Sequence, residues 1–235
     1  MAKTRVKWFT LPIDRAKLRA LADAMKGSVY TAKRGHGFVL TDVRPTSVSG
    51  SHIERTEREV VGTDPFGADI KQTLTVFIHS TFTITTSAPG LEVVDAPRSI
   101  KMLLGQISAL SQFSLTVTEI EVDPLVWIAQ LEKEKLQIQV KELEYVDIAF
   151  KGGTTGSLTV RGRSDVREAG QKIVGERPKQ VHRLDASITN DALAPTEVTL
   201  ERYGKALVPS EALTDFRNIL CSTLLASQGG NAKKN

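Results

Sequence analysis

Apolar residues recur along the chain with two periods, and each period predicts one type of element. Leu18, Leu21, Ala22 and Met25 fall at i, i+3, i+4 and i+7, which predicts a helix over 14–26 with one buried face, stopped by Gly27. Arg15, Arg19 and Lys26 line up on its other side. A short β-rich segment, 6–11, precedes it. Strands over 28–33 and 37–43 are expected to flank a tight glycine turn at 34–37, crowned by Lys33, Arg34 and His36. In 70–85, Leu74, Val76, Ile78, Phe82 and Ile84 share one face and threonines with His79 the other. Such alternation predicts an antiparallel strand buried on one side. Its hairpin partner is 52–62, joined through the turn at 63–67. A strand this long is expected to contain a bend or bulge.

Helical spacing returns over 97–112, and Asp123 followed by Pro124 predicts an N-cap and first turn for a helix reaching about 134. From 136 to 150 the pattern has period two with phase shifts at 143 and 146, as bulges produce. A glycine-rich turn at 151–156 leads to a strand over 157–163. The next helix is expected to be capped by Ser164, with Val166, Ala169, Gly170 and Ile173 inward. Two strands, 180–190 and 196–208, precede a last helix from Ser210 that buries Leu213, Phe216, Leu220 and Leu224. Helices scattered among antiparallel strands make the class α+β, with about five helices. The expected organisation is a basic unit over 1–90, a second unit over 91–227 and a disordered tail over 228–235, the first two packing as one compact body or two halves.

Charge changes this picture more than composition does. The 235 residues carry a net charge of +4, but 1–60 carries +6, 61–160 carries −5 and 161–235 carries +3. The window 161–183 alone holds Arg161, Arg163, Arg167, Lys172, Arg177, Lys179 and Arg183 and nets +4. Clustered Lys and Arg gain affinity for phosphates by counterion release, so a nucleic-acid partner is expected. Arg15, Arg19, Lys33 and Arg34 form a second candidate surface. No apolar run is long enough to span a bilayer, and no signal peptide is evident at the start. One cysteine, Cys221, rules out an internal disulfide and suits a cytoplasmic setting.

Catalytic patterns are sparse. The chain lacks GxxxxGK[ST], GxSxG and HExxH, and its four histidines are never within four residues of one another. The glycines at 152–156 read as turn chemistry. Asp42, Asp69 and Lys71 form the one set suggestive of a metal-dependent nuclease, two carboxylates for Mg²⁺ and a lysine to orient water. Short patterns of this kind arise by chance, so the expectation is a binder without catalysis, metal or cofactor. A structural or adaptor subunit with a protein partner is the other alternative. Trp8 and Trp127 read as core, and Tyr30 and Tyr203, each near basic residues, are the best base-stacking candidates.

Over 136–208 the order strand, glycine-rich turn, strand, capped helix, strand, strand, closing on TEVTLERYGKALVP, resembles the C-terminal half of the phage-exclusion proteins of the lambda RexA type. That resemblance implies a non-enzymatic, sequence-tolerant DNA binder of phage and bacterial conflict, acting as a homo-oligomer.

Overall fold

The computed structural model describes residues 2–96, 100–190 and 193–231. The chain divides into two compact units, residues 11–117 and residues 1–10 with 118–235. The division therefore falls at 117 instead of 90, and the N-terminal strand belongs with the C-terminal unit. Hydrogen bonding supplies the reason: β1 (Lys3–Thr10) pairs antiparallel with β11 (Lys205–Pro209), and its end pairs with β6 (Thr118–Glu119). As expected for the α+β class, the described residues form five helices and eleven strands, antiparallel within each unit.

The 11–117 unit contains α1 (Arg15–Gly27), β2 (His36–Arg44), β3 (Ser47–Thr63), β4 (Asp69–Thr85), β5 (Gly90–Val94) and α2 (Lys101–Leu110), with strand order β2-β3-β4-β5. Helix α1 starts at Asp14, whose carboxylate accepts from the Lys17 N–H, and buries Leu18, Leu21, Ala22 and Met25, the face its spacing predicted. Residues 28–33 are not a strand: only Val29 bridges to Phe38. A Cβ on Gly37 would lie 2.3 Å from the Tyr30 nitrogen, so this backbone crossing requires glycine and holds 28–35 as a loop. Helix α2 is shorter than expected, and 97–99 lie outside the described residues.

Strands β3 and β4 pair in continuous register from Ser47↔Thr85 to Thr63↔Asp69, with no bulge. Only their base is buried on one side, through Val48, Phe82 and Ile84. The distal half, about 57–75, is exposed on nearly every residue of both faces. A strand that curves around a core needs a bulge; a free ribbon does not, which explains the missing bend.

His52 is buried at the base of this hairpin, 5.0 Å from the Phe38 ring, and its Nε2 has no hydrogen-bond partner among the described residues. Burial, then the charge of His36, pushes its pKa down to about 4 from 6.5. The unfolded chain therefore binds a proton between pH 6.5 and 4 that the folded chain does not, and stability is lost as pH falls through that window, by up to about 3 kcal/mol. Urea melts at pH 7 and pH 4.5 are expected to show this loss in the wild type and a smaller one in His52→Met; equal losses would sink the assignment.

The other unit adds α3 (Pro124–Lys133), β7 (Gln137–Ala149), β8 (Thr155–Arg161), α4 (Arg167–Val174), β9 (Gln180–Asn190), β10 (Leu193–Glu201) and α5 (Leu213–Asn231), with strand order β1-β11-β10-β9-β7-β8. Asp123 caps α3 by accepting from the Leu125 N–H, with Pro124 in the first turn. Register shifts in β7 at Val140/Glu142, Glu144/Tyr145 and Tyr145/Ile148 match the phase changes in its sequence. The expected strand 196–208 is broken at 202–204 into β10 and β11, where Gly204 turns with φ 61°. Helix α5 carries 228–231 of the expected tail, and 232–235 lie outside the described residues.

One face of this sheet carries the core. Val140, Leu143, Leu184, Ala186 and Val198 meet Trp127 and Leu131 of α3, Val166 and Val174 beside and on α4, and Phe216, Leu220 and Leu224 of α5. Trp127 packs edge-to-face on Trp8, 6.1 Å between centroids, and donates its indole N–H to the Leu220 carbonyl at 3.1 Å. In α4 the buried residues are Gly170 and Val174, while Ala169 and Ile173 are exposed. The N-cap position is Val166, which has no capping side chain, so Ser164 does not cap α4; Asp165, just before it, accepts from the Arg167 N–H.

Candidate nucleic-acid interface

The seven basic residues of 161–183 do not form one surface. Arg161 lies opposite Glu142 in register, and Arg183 opposite Glu144, on the sheet face away from the core, because their neighbours Val160, Leu143 and Leu184 point inward. Helix α4, with Arg167 and Lys172, packs on the core side through Val166, Gly170 and Val174. The cations of β8 and β9 are therefore separated from those of α4 by the sheet itself.

Most of these cations are also engaged. The Arg161 guanidinium lies 2.7 Å from the Glu142 carboxylate, and that hydrogen bond raises its pKa. Arg183 meets Asp185 at 2.9 Å, and Lys172 meets Glu168 one helical turn away at 2.6 Å. Arg167 binds Asp165 through Nε and Nη2 and reaches Glu132 of α3 at 2.7 Å. Partial burial alone would raise the Asp165 carboxyl, but the hydrogen bonds from the Arg167 side chain, the Arg167 N–H and the Val140 N–H hold it below the usual range. Arg177 donates to the Val174 carbonyl and lies over the Phe150 ring, and Lys179 donates to the Gly175 carbonyl. Arg163 is exposed beyond the end of β8. Phosphates arriving here would have to displace carboxylates already in place, at a cost that offsets much of the gain.

The second candidate surface is different. Arg15 and Arg19 stand exposed, one turn apart on α1, and line a cleft of about 590 Å³ between that helix and the β2–β3 turn. Lys26 joins them from the helix, and Arg44 closes the opposite wall beside Pro45. Lys26 is 3.3 Å from Asp23 and Arg44 is 2.7 Å from Asp42, whereas Arg15 and Arg19 form no ion pair among the described residues. The first turn of α1 carries Arg15 and Lys17 and no acidic residue. Cations at a helix N-terminus oppose the macrodipole and cost some tenths of a kcal/mol each.

Lys33 and Arg34 lie beyond the C-terminal end of α1, on the exposed turn where the Arg34 N–H donates to Thr31, and they do not line the cleft. Arg44 was missed in the sequence. Its signal was the dipeptide with Pro45, which marks a turn able to present a cation.

The nuclease set does not assemble. Asp42 pairs with Ser49 near the ribbon base and Asp69 with Thr63 at its tip. The 14 residue steps of β3 from Ser49 to Thr63 span about 46 Å at 3.3 Å per step, so the two carboxylates cannot share a cation. No group of three or more metal-ligating side chains exists among the described residues. The glycines at 152–156 form a tight turn closed by the Phe150 N–H donating to Thr154. Both tyrosines expected to stack on bases touch protein rings instead, Tyr30 against Phe77 and Tyr203 against His182. No helix among the described residues is long and apolar enough to cross a membrane. No protein-family model matches the chain, and no curated protein matches it in sequence.

Proposed function

We propose that the chain binds the phosphate backbone of nucleic acid, without reading bases, through the α1 cleft. The observation that carries this reading is the pair Arg15 and Arg19, exposed and without an ion pair among the described residues, facing Arg44 across the cleft. Four cations against Asp23 and Asp42 leave the cleft net positive, and counterion release gives such a surface affinity for a polyanion. Lys33 and Arg34 extend the contact along the loop after α1. Among the described residues no aromatic side chain lines the cleft, which favours backbone contact over base stacking. The resemblance of 136–208 to phage-exclusion DNA-binding proteins makes duplex DNA the first ligand to test.

Gel shifts on a duplex and a single strand, each with and without Mg²⁺, test the reading. Retarded and intact nucleic acid in every lane is the expected result. No retardation at low salt would leave the adaptor reading in its place, and Mg²⁺-dependent cleavage would overturn a non-catalytic role.

A further inference from the structure

We propose that two copies of the chain join through the outer edge of β4, pairing antiparallel about a twofold axis at Leu74. On its inner edge β4 is fully paired with β3, and on its outer edge β5 covers only Thr81–Ile84. Among the described residues nothing hydrogen-bonds to the outer edge of 69–79, which at about 3.4 Å per residue is about 35 Å of unpaired backbone.

The two free edges of the ribbon differ in kind. Strand β3 carries Glu57, Arg58, Glu59 and a glycine at 62 along its distal part, charges and breaks that discourage further pairing. Residues 72–78 of β4 hold no charge, no proline and no glycine, and are β-branched or aromatic at five of seven positions. An edge of this composition left open is a site of edge-to-edge association, so its bareness fits a strand that is normally paired. A two-stranded ribbon exposed on both faces is also marginal by itself, and two more strands would support it.

Geometry selects the occupant and the register. A twofold antiparallel pair must be centred on a residue, so that outward-facing backbone groups meet outward-facing ones. Centring on Leu74 uses the whole free edge and stops short of Thr81, where β5 begins. It sets Leu74 against its own copy, Ile70 against Ile78, Thr73 against Thr75, Lys71 against Phe77 and Asp69 against His79. Each is a favourable cross-strand neighbour, and no like charges meet. The half-exposed Ile70 and Leu74 of both copies would then share one face of a four-stranded ribbon. This pairing uses none of the cleft residues and stands independently of the nucleic-acid reading.

Sedimentation velocity at about 50 µM, a concentration at which weak self-association is populated by mass action, is expected to give a dimer for the wild type. Leu74→Lys places two ammonium groups on the axis and is expected to give a monomer with an unchanged circular-dichroism spectrum, since the side chain is half exposed. Leu74→Cys meets its own copy, so mild oxidation should link two chains through that position, identified by the mass of the linked peptide, while Glu57→Cys on the opposite edge should not link. A monomeric wild type overturns the proposal. So does a dimer that survives Leu74→Lys with no link through Leu74→Cys.

Discussion

Arg15→Ala combined with Arg19→Ala is expected to reduce the slope of log affinity against log salt for a DNA duplex by about 1.8, at 0.9 for each phosphate no longer neutralised. Hydrogen bonds to charged partners are worth about 1.5 kcal/mol or more each, so the double variant should also bind about 100-fold more weakly. Both side chains are exposed and make no ion pair among the described residues, so their removal leaves no buried charge and the fold should persist. Arg161→Ala combined with Arg167→Ala provides the contrast. These residues answer Glu142, Asp165 and Glu132, so their loss should lower stability and leave the salt slope unchanged. Fluorescence anisotropy across a salt series reads both variants on one scale. A slope reduced in the second and intact in the first would move the site to β8 and α4.

Trp127→Ala is expected to remove about 3–5 kcal/mol from the unit built around β7 and β9. The side chain is fully buried, packs on Trp8 and donates to the Leu220 carbonyl, so truncation opens a cavity and breaks the hydrogen bond between α3 and α5. Against a total of about 5–15 kcal/mol for a domain, this leaves the unit close to unfolding at 37 °C. Trp127→Phe keeps a ring beside Trp8 and loses only the N–H, and it should cost about 1–2 kcal/mol. Urea denaturation at 25 °C measures both through the shift in midpoint. A midpoint for Trp127→Ala near that of the wild type would show that α3 is not anchored by this side chain.

Elements whose cause is local are legible in the sequence. Asp123 and Pro124 start α3 because capping needs only the cap and the turn after it, and α1 follows from four apolar residues on one face. The phase shifts in β7 appear as bulges because a side chain that changes face must add a residue. Where distant residues decide, the sequence is silent. Residues 28–33 alternate like a strand, yet a crossing at Gly37 that only the folded chain reveals keeps them irregular. The unbroken ribbon of β3 and β4 follows from having nothing to wrap around.

The charge pattern misleads for the same reason. Arg161 faces Glu142 through strand register, and Arg167 reaches Glu132 through the packing of α4 beside α3, so partners 19 and 35 residues away neutralise what reads as a basic window. On α1, by contrast, the line of Arg15, Arg19 and Lys26 is visible from helical spacing alone. Only the opposite wall of the cleft, Arg44, needs the β2–β3 hairpin to place it.

Arginine-selective chemical footprinting of the full chain, with and without a DNA duplex at low salt, puts the central claim to the most direct test. Protection of Arg15, Arg19 and Arg44 on adding DNA, with Arg161, Arg163 and Arg183 labelled equally in both states, is the result this structure predicts. Protection of Arg161 and Arg163 with Arg15 and Arg19 unchanged would contradict it.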